Sequence, residues 1–145
     1  MYRNLFIAWY CLSILALCFT AYLILMPFFG ASRAMGSFGF LGLLGFIPAF
    51  RHAVFRGEKQ DERDVSFLQR SVAFGAISGI GASGVVTAVL AVVYRFLHGL
   101  DSVPLNVFGL PLTCGAAVGV LAFSVLLLLF YYKGEHADKE NNLEL

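Results

Sequence analysis

Charge is scarce in this chain, and its placement excludes more than its amount. Ten Lys or Arg and nine Asp or Glu make up 13% of 145 residues, against roughly 25% in soluble domains. The hydrophobic fraction is 59%, mean hydropathy is +0.81 and net charge is +1. Nineteen charges in a few clusters cannot cover a globule of this size with a polar skin. An ordinary soluble domain and a disordered chain are therefore excluded. A basic nucleic-acid binder is excluded too, because no Lys/Arg stripe exists, and no nucleic-acid partner is expected.

Cysteine is also scarce. Cys11, Cys18 and Cys114 all lie in apolar runs, and no C-x-x-C pair occurs. A thiol–disulfide relay lacks its chemistry. Cys11 and Cys18 on one helix stand ~10 Å apart along the axis, too far for a disulfide. All three read as small buried hydrophobes.

What is present is long apolar sequence. A helical span needs about 20 apolar residues. The sequence predicts four: 5–29, 34–50, 71–94 and 110–132, the last with an alternative start at Pro104. The second is near the lower length limit and contains Pro48. The first is longer than the 7–15 apolar residues of a cleaved signal segment and predicts an uncleaved span. Runs such as Val125–Phe130 do not alternate polar with apolar, which excludes barrel strands. The expected fold class is an all-α membrane protein, an antiparallel bundle of four transmembrane helices forming one membrane domain. Gly30–Arg33 is expected to be a tight turn, 51–70 a charged loop, and 133–145 a frayed polar tail.

Lys and Arg counting gives orientation. Arg3, Arg51, Arg56, Lys59, Arg63, Arg70, Lys133 and Lys139 fall on one predicted side, and only Arg33 and Arg95 on the other. Both termini and the 51–70 loop are expected in the cytoplasm.

The sharpest pattern is a row of small residues at steps of four in the third span: Ser71, Gly75, Gly79, Ser83, Thr87, Ala91. Steps of four form a ridge on a helix. In lipid, close packing must replace the hydrophobic force between helices, so a small ridge is a helix-packing surface. Gly115 and Gly119 repeat the device in the fourth span. Gly36, Gly39, Gly42 and Gly45 recur at steps of three, and on a 3.6-residue helix such a row winds around the axis instead of staying on one face.

Chemistry-bearing constellations are few. The span cores hold no Asp, Glu, Lys or Arg, which argues against a proton-coupled carrier. Their polar groups are hydroxyls and thiols, including Ser13, Thr20, Ser78, Thr113 and Ser124, which commonly bond back to their own helix. The predicted topology puts His98 opposite His52 and His136, so no metal site is expected. No catalytic residue and no cofactor are assigned. The only dense charged motif, 57–64, reads as a helix start, with Asp61 as N-cap and Glu62 and Asp64 in the positive first turn. Arg56, Asp61, Glu62, Arg63, Asp64 and Arg70 are the candidate contacts for a partner or for lipid head groups.

With Asp61–Asp64 (Asp-Glu-Arg-Asp) between its second and third spans, the chain resembles a group of small prokaryotic four-span membrane proteins. In that group Asp-Glu-Arg precedes the third helix. The resemblance implies the four-span layout and the inner (plasma) membrane, and it implies no activity. The expected role is non-enzymatic: a scaffold or partner subunit acting through helix packing and the 51–70 loop. Its partners would be the lipid bilayer and a second copy or another membrane protein. The alternative is a channel or transporter for a neutral or lipidic solute.

Overall fold

In a computed structural model, the chain is described over residues 2–47, 62–99, 107 and 109–141. Every element there is helical, and no strand occurs among the described residues. Helix α1 is Tyr2–Phe29 and α2 is Ala31–Ala34. A 3-10 helix, η1, follows at Met35–Phe46. Helix α3 is Glu62–His98 and α4 is Gly109–Asn141. α1, α3 and α4 are long and apolar enough to cross a membrane.

The first helix stops where expected. Gly30 adopts φ +77°, a left-handed conformation that glycine enters without a Cβ penalty. Its N–H donates to the Met26 carbonyl at 3.0 Å, and its own carbonyl accepts from Ala34 N–H at 3.0 Å. The chain thereby reverses within a few residues, and η1 lies back along α1. Phe38 of η1 meets Phe19 edge-on at 5.5 Å and tilts against Tyr22 at 6.1 Å. Further along, Tyr10 Oη donates to the Leu43 carbonyl at 3.1 Å.

Three expectations are corrected. Residues 34–50 do not form an α-helical span: α2 ends at Ala34, η1 covers 35–46, and 48–50 lie outside the described residues. The physical reason is the glycine spacing. A period of three matches the three residues per turn of a 3-10 helix, where positions i and i+3 eclipse and only a residue without a side chain avoids the overlap. Gly36, Gly39, Gly42 and Gly45 therefore do share one face, and an added Cβ at each would meet nothing within 4 Å. Second, only part of the 51–70 loop is outside a helix: from Glu62 onward it belongs to α3, with Glu62 and Asp64 in the first turn as the reading of 57–64 as a helix start expected. Third, the polar tail is helical as far as Asn141. Its Ala, Glu and Lys are good helix formers.

The helices run antiparallel in chain order. Asn4 meets Tyr131, and four residues on Ala8 packs with Leu127, four residues back. Phe67 meets Phe130, Gly75 meets Gly119, and Gly79 meets Gly115. The start of α1, the start of α3 and the end of α4 thus gather at one end of the molecule. α4 is central: it packs on α3 and on α1, while η1 packs on α1. The outer face of α3 is apolar and open, with Ile77, Ile80 and Phe96 at least 70% exposed. Such a surface is stable against lipid and unfavourable against water.

Candidate functional site

Two features of this arrangement are built from named side chains: a glycine crossing beside an apolar groove, and a polar clamp at one end.

At the crossing, α3 and α4 approach to backbone contact. A Cβ added at Gly79 would stand 2.7 Å from the Gly115 carbonyl oxygen. One at Gly75 would stand 2.8 Å from the Gly119 carbonyl oxygen and 2.8 Å from Phe123 Cβ. The relation is mutual: a Cβ at Gly115 would lie 2.7 Å from the Gly79 carbonyl oxygen, and one at Gly119 would lie 2.9 Å from that of Gly75. Real Cβ atoms do not approach backbone oxygen this closely, so all four positions need glycine. Small residues at steps of four allow this approach, and dispersion with weak Cα–H···O contacts then replaces the hydrophobic force. Ser83 continues the seam, with its Cβ 2.9 Å from the Cβ that Gly115 lacks. Ser71 is fully buried at the other end of the row. Thr87 is exposed and donates its hydroxyl to the Ser83 carbonyl at 2.8 Å.

Beside the crossing lies an open groove of about 1020 Å³. Its floor is the α3–α4 seam. Gly84, Thr87, Ala88 and Ala91 extend one wall, and Cys11 of α1 with Leu44 of η1 and Ile47, which caps it, form the other. The lining is almost wholly apolar. Thr87, one of its few hydroxyls, is already bonded within its own helix. Gly84 differs from the crossing glycines, because an added Cβ there would meet nothing within 4 Å.

The clamp joins α1, α3 and α4. The Asn4 side chain is 1% exposed. Its Nδ2 donates to the Asp64 main-chain oxygen at 3.0 Å and to Tyr131 Oη at 2.8 Å. Tyr131 Oη in turn donates to Asp64 Oδ1 at 2.5 Å. The acidic side chain sits in the first turn of α3, where the helix dipole favours negative charge. Phe67 stacks on Phe130 at 5.0 Å and stands edge-on to Tyr131 at 5.8 Å, which shields the polar groups. Ala8 and Leu127, both fully buried, close the apolar side.

The residues singled out in the sequence are thus distributed over both features and beyond them. Gly75, Gly79, Ser83, Gly115 and Gly119 come together at the crossing. Asp64 belongs to the clamp. Glu62, Arg63 and Arg70 are exposed near the start of α3, and Arg56 and Asp61 lie outside the described residues. Asn4 and Tyr131 are functional residues that the sequence reading misses. The available signal was an amide one residue after Arg3, at the mouth of an apolar run, with a tyrosine at the far end of another. Among the described residues no cluster of three metal-ligating His, Cys, Asp or Glu occurs. No family model, curated protein or solved structure matches the chain.

Proposed function

We propose that the chain is a four-span protein of the prokaryotic inner membrane, and that it acts as a non-enzymatic scaffold or partner subunit which docks a transmembrane helix in the groove beside the glycine crossing. The observation that carries this reading is the groove wall. Gly84, Ala88 and Ala91 prolong the small surface of α3 past the part that α4 fills. Small residues favour a helix neighbour, because they let a second backbone come close. The size is suitable as well. A helix about 10 Å across fills about 1020 Å³ in ~13 Å of its length, or two and a half turns.

Four spans are supported by the rise of η1. At about 2.0 Å per residue in a 3-10 helix and 1.5 Å in an α-helix, residues 31–46 extend ~30 Å, the thickness of a bilayer core. Cytoplasmic termini are supported by the Lys/Arg asymmetry, and the 51–70 segment is then a cytoplasmic contact surface. Thiols introduced at Gly57 and Ser102 test the topology. An impermeant reagent outside intact cells should label position 102 and spare 57, and the reverse pattern would invert the protein.

Gly84→Leu tests the docking. The new side chain fills the groove from a position with open space around it. The variant should melt with the wild type yet lose its co-migrating partner in mild detergent. An unchanged complex would contradict the reading. A second reading, passage of a neutral or lipidic solute, rests on the apolar lining of the same groove. It predicts solute flux in proteoliposomes that Gly84→Leu blocks.

A further inference from the structure

We infer that η1 is a two-state segment, switching between the observed 3-10 helix and an α-helix, and that this change works the η1 wall of the groove.

Two observations meet here, and a third accords with them. The first is length. η1 runs for 12 residues, whereas 3-10 runs longer than three or four residues are uncommon because their i→i+3 hydrogen bonds have poorer geometry. The second is the glycine row. Gly36, Gly39, Gly42 and Gly45 take the eclipsed face, so the sequence tolerates the 3-10 form, while no neighbour within 4 Å of their missing Cβ atoms requires it. The third is Ser37. Ser13, Thr20, Thr87, Thr113 and Ser124 all donate to the carbonyl four residues back in their α-helices. Ser37 on η1 is buried, and its hydroxyl has no partner. An α-helical η1 would place the Arg33 carbonyl where this hydroxyl donates. (On α3, Ser66 donates to the carbonyl three residues back and Ser71 is buried without a partner.)

Opposing contacts hold the 3-10 form. Tyr10 donates to the Leu43 carbonyl. Phe38, nearer the start of η1, is packed on Phe19 and Tyr22. Conversion with that start held would shorten the segment by ~6 Å, at about 0.5 Å per residue. It would also turn Leu44 by about 120° relative to Phe38, since each residue advances 100° in place of 120°. Leu44 of η1, with Ile47 that caps it, would withdraw and leave the groove wider.

The consequence for docking rests on the function proposed above. The switch itself does not, and it is measured without a partner. Spin-label amino acids at Arg33 and Phe46, both exposed, report the length of η1 in the full chain in lipid nanodiscs. The 3-10 form separates the two backbones by about 26 Å and the α-form by about 20 Å. Wild type should show both distances. Gly39→Ala with Gly42→Ala restores eclipsed side chains and should raise the short population about fivefold. Ser37→Ala removes the hydroxyl that the α-form satisfies and should raise the long one. One distance, unchanged across all three proteins, overturns the switch, as do shifts in the reverse sense. No added Cβ meets a neighbour, so misfolding does not mimic either result.

Discussion

Gly79→Leu is expected to separate α3 from α4 and to lower the melting temperature in detergent by about 10 °C. The first added carbon already lies 2.7 Å from the Gly115 carbonyl oxygen and 3.3 Å from Gly119 Cα. Both are backbone atoms of a packed helix and cannot rotate away as a side-chain end can. Relief therefore requires the helices to part along the whole seam, including the Gly75–Gly119 contact one turn away. Overpacking a filled site costs about 1–3 kcal/mol, occasionally more, and a crossing of four mutual glycines belongs at the upper end. At about 2–4 °C per kcal/mol for a chain of this order, ~3 kcal/mol gives the stated shift. Gly84→Leu on the same helix is the internal control, since its Cβ meets nothing. Equal melting of the two variants would mean that the glycine crossing does not hold α3 to α4.

Tyr131→Phe should destabilise the chain by about 1–3 kcal/mol, the cost of leaving buried polar groups without their partner. The ring stays in place against Phe67, so packing is kept and only the hydroxyl is lost. That hydroxyl both receives Asn4 Nδ2 and donates to Asp64 Oδ1. Removing it strips one hydrogen bond from an amide that is 1% exposed and one from a carboxylate. A double-mutant cycle with Asn4→Ala isolates the link between α1 and α4. A coupling above ~0.5 kcal/mol is expected for residues in one network. Strict additivity would mean that the clamp does not act as a unit.

Much of the fold was legible in the apolar runs. The first helix, its end at Gly30, the acidic start of α3 at Glu62 and the body of α4 all follow from charge placement and glycine. The ridge at steps of four was also legible, because 3.6-residue periodicity alone brings Gly75 and Gly79 onto one face. η1 was not. Its glycines at steps of three carry the 3-10 period openly, but a span-length apolar run argues for an α-helix whenever bilayer thickness is the criterion. The clamp was hidden for another reason. A search for ionisable groups inside the spans passes over Asn4, an uncharged amide, and over Tyr131, which resembles any interfacial aromatic. Only the antiparallel register brings these two together with Asp64, across 60 and 127 residues of sequence.

α3 carries one row of small residues closed by α4, and the proposed docking helix occupies the prolongation of that surface. A photo-crosslinking amino acid at Ala88, on the exposed groove wall, tests this in native membranes. The expected result is an adduct whose peptide comes from a membrane-spanning helix, of a second copy or of another protein, and its disappearance when Gly84→Leu is combined with the probe. Adducts to lipid alone, unaffected by Gly84→Leu, would contradict it.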